Sequence, residues 1–289
     1  MSALTDLVEW PLHWVIQAAH VMRGPLPQRL KRSVLWTLTL LSLRALGPGR
    51  EKPGRCQGVG FEIEGYSVAG LSFLFSEIFV GLDYYFESSV EEPYILDCGS
   101  NIGMAVLFFK ALYPRARIVA FEPGPDSFAM LRRNVTQNQL TGVELRESAV
   151  SDRDGTVDFF LARTPGSVTS STRAERTGGI RTTVAQERLS TYIDRDVDFL
   201  KLDIEGGEWA VMSDLVTTGT LRRISQMAIE YHHHMGTSED RFGEFLQQLE
   251  AQGFGYQLRA LAGRDRQRGQ FQDVLIYAYR KDSVPCQTR

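Results

Sequence analysis

Cysteine is scarce in this chain: Cys56, Cys98 and Cys286 are the only ones in 289 residues. At those separations they make neither a disulfide framework nor a metal knuckle, and they point to a reducing, cytoplasmic setting. No apolar run reaches the ~20 residues that a membrane-spanning helix needs. The apolar run Val34–Leu46 starts too late for an ordinary secretory signal, and no clear small-residue cleavage site follows it. A basic excess is also missing. The net charge is −3, which speaks against a surface built for nucleic acid. There is no internal repeat and no low-complexity block.

What is present is unevenly distributed. Residues 1–55 hold eight Lys/Arg and three Asp/Glu, and the remainder holds 24 against 32. The N-terminal part is rich in Trp and aliphatics from Leu4 to Met22 and again from Val34 to Leu46. It reads as a helical extension, residues 1–55, packed on the main domain or on a second subunit as a homo-oligomer contact. A second reading is an interfacial helix resting on the anionic inner face of a membrane. The Gly/Pro/Arg-rich stretch Gly47 to Gly60 reads as a linker. It opens a segment of residues 56–90 that leads into the main domain, residues 91–281, with a tail at 282–289.

The chemistry starts at Tyr94–Ala105, YILDCGSNIGMA. A short apolar strand ends in Asp97, and Gly99 and Gly103 flank Ser100, Asn101 and Ile102. In open α/β sheets, ligands bind at this carboxyl edge. Glycine there admits positive φ and close approach of a ligand to the backbone. Asn101 is a candidate N-cap for a helix over Ile102–Leu112. The next apolar run closes on Glu122, placed to accept the hydroxyls of a ribose. Asn101 stands where a dinucleotide fingerprint has its second glycine. A cofactor with a ribose but no pyrophosphate therefore fits better, and S-adenosylmethionine is such a molecule. Asp97 then suits its cationic methionine end.

Strands and helices alternate onward, which predicts a mostly parallel sheet. Core strands are expected at Val143–Arg146, Asp198–Asp203 and Ile224–Tyr231. Gly255–Leu261 and Val274–Tyr279 would form a closing antiparallel pair. Thr156–Leu161 is an added strand, and Gly166–Gly179 and Gly263–Gly269 are polar loops, the latter carrying Arg264, Arg266 and Arg268. Asp203, Glu205 and Glu208 follow the fourth strand, while Glu230 and His232 end the fifth. Both groups reach the same sheet edge as Asp97 and Glu122. Histidine has the pKa of a general base for an alcohol, and His232 is the best placed of His232–His234. Asp203 and Glu205 would position the acceptor. Asp203, Glu230 and His232 are alternatively candidate ligands for a divalent cation such as Mg²⁺, which would acidify a hydroxyl directly. Lys201 shares a strand face with Asp203 and can pair with it.

These residues carry a resemblance. LDCGSNIG, AFEP, ESAVSDRDG, SVTSST and ERLSTYIDRDVDFLKLDIEGGEW are similar to the FkbM-type S-adenosylmethionine-dependent methyltransferases, over about Phe79 to Glu230. The resemblance implies a class I methyltransferase fold, a Rossmann-like seven-stranded mostly parallel sheet. It implies O-methylation of a hydroxyl on a glycan or secondary metabolite, with carboxyl O-methylation of a small molecule or a non-catalytic cofactor-binding scaffold as alternatives. By position, Asp97, Gly99, Ser100, Asn101, Gly103 and Glu122 would bind the cofactor, and Ser148 and Ala149 would border its adenine. Tyr84, Tyr85 and Glu87 would close over the methionine end, and Asp203, Glu205 and His232 would face the acceptor. Ser100 departs from the alanine common after that glycine. The D/N-P-P-Y turn of base-methylating enzymes is missing, and no Tyr-x-x-x-Lys pair like that of nicotinamide oxidoreductases follows the core strands.

Overall fold

The computed structural model describes residues 3–161, 179–233, 241–260 and 272–283. Seven strands form the central sheet, in the order β11-β12-β10-β9-β3-β4-β5. These are β3 (Tyr94–Cys98), β4 (Arg117–Phe121), β5 (Val143–Arg146), β9 (Val197–Leu202), β10 (Ile224–His233), β11 (Phe254–Ala260) and β12 (Gln272–Arg280). All neighbours are parallel except where β12 runs antiparallel between β10 and β11. The inner strands are apolar on both faces because helices cover both. Ile95, Leu96, Phe199, Leu200 and Leu202 are all buried. The connecting helices are α4 (Met104–Leu112), α5 (Pro125–Gln137), α6 (Glu208–Thr217) and α7 (Phe242–Ala251). From β3 the chain builds outward to β4 and β5, then returns to place β9 and β10 on the other side. The edge above β3 is thus a topological switch point, where a crevice opens.

A smaller sheet sits beside it, with β6 (Ala149–Ser151) and β7 (Gly155–Leu161) both pairing with β8 (Ile180–Arg188). The expected strand at Thr156–Leu161 is β7. Of the Gly166–Gly179 loop only Gly179 falls within the described residues, and the Gly263–Gly269 loop with its arginines, His234 and Cys286 fall outside them.

Two N-terminal helices, α1 (Ala3–Arg23) and α2 (Gln28–Ala45), precede a hairpin of β1 (Gly54–Gly58) and β2 (Phe61–Gly65). Part of the linker stretch is therefore a strand. Its glycines serve close packing rather than slack: a Cβ on Gly58 would lie 2.4 Å from the Thr37 side chain, and one on Gly54 2.7 Å from Leu71. The hairpin turns on Val59 and Gly60, both at positive φ, as a two-residue turn requires. The buried face of α2, Leu30, Val34, Leu38 and Leu41, belongs to the same apolar cluster as Phe75, Phe79 and Phe108. Next comes α3 (Val68–Phe75), capped by Ser67, whose hydroxyl accepts from the Gly70 amide at 2.9 Å. It runs into a single π turn, Ser76–Val80, a form often found at functional sites.

Candidate active site

One cavity occupies the switch point. Its floor is the carboxyl edge of the sheet: Gly99, Ser100 and Asn101 after β3, Glu122 after β4, Ser148 and Ala149 after β5, and Asp203 and Glu205 after β9. Glu230 of β10 and Asp273 of β12 complete that edge, and Phe73, Leu74, Glu77 and Ile78 of α3 and the π turn roof it, with Tyr84 from the segment that follows. Asp273 arrives because β12 runs antiparallel, so that its first residues meet the last of β10, with His232 opposite Asp273.

At the glycine turn, Gly99, Asn101 and Gly103 all have positive φ. Glu122 holds the turn: one carboxylate oxygen accepts from the Asn101 amide at 2.8 Å and the other from the Gly124 amide at 2.8 Å. Each oxygen keeps a lone pair for a ligand. Burial pushes Glu122 up to about 7, against the pull of those amides. Helix α4 begins at Met104 with Gly103 as its N-cap, two residues later than expected. The Asn101 side chain does not cap it; its Oδ1 accepts from the adjacent Ile102 amide at 2.7 Å. Gly103 is not among the described residues lining the cavity. Its missing Cβ serves packing, since one would sit 2.7 Å from Leu131.

Asp97 also lies behind the cavity wall rather than in it. It is wholly buried, and its partner is Lys201, whose ammonium is 3.5 Å away. Lys201 in turn donates to the Gly99 carbonyl at 2.7 Å and lies 3.3 Å from Asp203. Its aliphatic-to-cationic end rests over the Tyr84 ring, 4.8 Å from the centroid. Burial raises Asp97, with Lys201 pulling the other way. Burial disfavours the Lys201 charge, but Asp203 and Asp97 overcome it and hold its pKa above the usual value. The Tyr84 hydroxyl donates to Asp203 at 3.1 Å. Tyr85 is displaced from the role expected of it: it is not among the described lining residues, and its hydroxyl meets Glu87 at 3.2 Å. Of the expected pair, Tyr84 lines the cavity.

His232 is buried behind the acids. Its Nδ1 lies 2.8 Å from Glu208, and its Nε2 is 3.2 Å from Glu205 and 3.8 Å from Asp273. Burial opposes its charge, but Glu208 first and then Glu205 and Asp203 raise it to about 10. A protonated imidazole has no lone pair to offer, so the expectation of His232 as general base at neutral pH gives way to a cation that orients carboxylates. Glu205 stands at positive φ and lines the cavity in front of it. Glu208 opens α6, where its charge also suits the helix N-terminus. Stability from the raised His232 is fully present below its unfolded value near 6.5 and is lost as pH rises through about 10. An NMR titration should find the imidazole doubly protonated through pH 8, and His232→Gln should flatten the loss of stability between pH 7 and 10. A ring titrating near 6.5 would contradict this geometry.

Two acids missed by sequence reasoning matter here. Glu77 is a lone acid inside the apolar run VAGLSFLFSEIFV, a signal that was readable. Burial, then Asp83 and Asp203, raise it to about 7. Asp273 had no such signal; only the strand register brings it in. Burial, then Asp203, lift Glu230 to about 9.

The cavity suits a ribose-bearing, non-pyrophosphate cofactor. The buried Ser148 hydroxyl on its wall has no partner among the described residues, and Glu122 beside it keeps lone pairs for a ribose. A seven-stranded sheet in this order, with its last strand antiparallel and this turn and acid at the switch point, defines a class I methyltransferase fold. The chain belongs to the FkbM methyltransferase family, whose "Methyltransferase FkbM domain" matches residues 97–257. It is an enzyme of the class that draws its methyl group from S-adenosylmethionine. It is similar to "Methyltransferase sdnD" of Sordaria araneosa, 31% identical over 173 residues, which make up 48% of this chain and 67% of that protein. It is also similar to "2-O-methyltransferase NoeI" of Sinorhizobium fredii, at 28% identity over 48% of this chain and 63% of that protein. "Hexuronic acid methyltransferase AglP" of Haloferax volcanii is 27% identical over 50% of this chain and 59% of that protein. The chain thus spans about two thirds or less of these relatives.

Proposed function

We propose that the protein transfers a methyl group to a hydroxyl of a glycan or secondary metabolite. The observation that carries this reading is a single cavity with two chemically distinct ends. One is the glycine turn with Glu122 and Ser148; the other is a set of carboxyl groups, Glu77, Asp203, Glu205, Glu230 and Asp273. Ionised carboxyl groups accept hydrogen bonds from hydroxyls and protonated ones also donate, so the second end suits a polyhydroxylated acceptor. Of the relatives described above, one is named a 2-O-methyltransferase and another a hexuronic acid methyltransferase, which supports O-methylation and a sugar-like acceptor.

S-adenosylmethionine supplies, when bound, a sulfonium-activated methyl group. The chain's part is alignment and proton handling. Glu122 and the Gly99–Asn101 backbone hold the ribose side, and Ser148 and Ala149 border the base. Tyr84 and Lys201 fix Asp203, which orients the acceptor. Glu205, backed by His232, takes the hydroxyl proton as the new bond forms. A second reading has its own support: Asp203, Glu205 and His232 bring ligand atoms within 4.8 Å of one another, as do Glu230, His232 and Asp273. Either set would hold a divalent cation such as Mg²⁺ through its carboxylates, with His232 then neutral.

Calorimetry with S-adenosylmethionine tests the first end. Glu122→Ala should weaken binding by roughly 10–100-fold, the worth of charge-assisted hydrogen bonds. A panel of glycans and lipid-linked sugars with labelled cofactor tests the second. Glu205→Gln should abolish most turnover with cofactor affinity intact. Activity lost in a chelator and restored by Mg²⁺ would favour the cation reading; no transfer to any hydroxyl acceptor would sink the proposal.

A further inference from the structure

The N-terminal helices are apolar on two opposite sides, and only one side is used. On α2, the buried face carries Leu30, Val34, Leu38 and Leu41. On α1, Val21 is buried and Trp14 donates to Thr39 of α2 at 3.0 Å. Opposite that face, α1 exposes Leu12 (67%), Val15 (55%), Ile16 (59%) and Met22, at helical spacing. Turned away from the buried side of α2 are Arg29, Arg32, Trp36 and Leu43, spaced i, i+3, i+7 and i+14, with Trp36 68% exposed. These residues share one stripe of the helix. A tryptophan and five aliphatic or thioether side chains exposed on two helices that pack against each other exceed the scattered surface apolars of ordinary globules.

The charge around the stripe selects its partner. Residues 11–45 contain Arg23, Arg29, Lys31, Arg32 and Arg44 and no Asp or Glu. Lys31 is spent inside, donating to the Met22 carbonyl at 2.8 Å. Arg23, Arg29, Arg32 and Arg44 are exposed. A second copy of the same face would set these arginines against arginines, since the only acids on the two helices, Asp6 and Glu9, lie in the first two turns of α1, far along the chain from Arg23, Arg29 and Arg32. An anionic lipid surface answers both properties together: acyl chains take Leu12, Ile16, Trp36 and Leu43, and headgroups take the arginines. No helix among the described residues is long and apolar enough to cross a membrane, so the mode is lying on the surface rather than spanning. We propose that the α1–α2 pair docks the protein on an anionic membrane surface through this stripe.

The proposal is independent of the acceptor's identity, and its test needs no turnover. The full chain should co-sediment with vesicles of phosphatidylcholine containing about a third phosphatidylglycerol, and at least roughly tenfold less with phosphatidylcholine alone. Trp36→Ser with Leu43→Ser should lower partitioning onto the anionic vesicles by about tenfold or more. Arg29→Gln with Arg32→Gln should lower it on the order of tenfold and flatten its dependence on salt. All four positions are solvent-exposed, so unchanged melting and unchanged calorimetric binding of S-adenosylmethionine certify that both variants are folded. No vesicle binding by the full chain, or binding indifferent to both pairs of substitutions, would overturn the proposal. So would a dimer in sedimentation equilibrium that the Trp36/Leu43 variant dissolves, since the stripe would then belong to a second copy.

Discussion

Gly99→Ala should be the most damaging single-methyl change in the protein, and Gly60→Ala shows why. Both glycines sit at nearly the same dihedral, φ +87 and φ +91. Each substitution therefore costs about 1–2 kcal/mol for forcing an L-residue into the left-handed region. The surroundings differ completely. A Cβ on Gly60 meets nothing within 4 Å, whereas one on Gly99 would lie 1.8 Å from the Asp203 carbonyl oxygen. That neighbour is backbone at the end of β9, held by the Asp203 amide donating to the Cys98 carbonyl at 3.1 Å. It cannot rotate away as a side chain would, so the turn and the strand end must separate. Such overpacking adds about 1–3 kcal/mol or more. Urea unfolding should find Gly99→Ala at least twice as destabilised as Gly60→Ala, and calorimetry should find cofactor binding lost only in the former. Equal losses would mean that the turn is looser than the structure has it.

Lys201→Met should be nearly as severe, for an electrostatic reason. Lys201 is the buried cation between Asp97 and Asp203, and it also donates to the Gly99 carbonyl. Removing it leaves Asp97 wholly buried with its charge uncompensated, a loss of about 3–5 kcal/mol. Burial already raises Asp97, and without Lys201 it rises further. A carboxyl whose folded pKa lies above its unfolded value stabilises the fold at low pH and loses that contribution as pH rises. The Lys201→Met variant should therefore be closest to the unsubstituted protein near pH 5 and furthest from it at pH 8. Adding Asp97→Leu should recover much of the stability, because an apolar pair of similar volume often replaces a buried ion pair at little cost. It should not recover cofactor binding, since the Gly99 turn has lost its anchor. A single variant whose stability deficit does not vary with pH would refute the pairing.

The large features of the fold were legible because they are local. Short, largely apolar runs ending in Asp97, Glu122 and Asp203 mark strands and their carboxyl edges. The glycine turn follows from backbone sterics within seven residues, Asp97 to Gly103. The linker reading failed at Gly54 and Gly58 for the opposite reason. Glycine looks the same in a sequence whether it supplies freedom or, as here, room for Thr37 and Leu71.

The sequence by itself determined the sheet, the turn and the gathering of acids at one edge, since residue period and turn chemistry act over a few neighbours. Only the tertiary structure decided what those acids do. Lys201 meets Asp97 across 104 positions, and His232 meets Glu208 across 24 and Asp273 across 41. Protonation states follow from those distances and from burial, both set by strand register and helix packing. Hence His232 moved from base to buried cation, Tyr84 but not Tyr85 of the expected pair lines the cavity, and the outer face of α1 and α2 was left apolar and basic with nothing in the chain to cover it among the described residues.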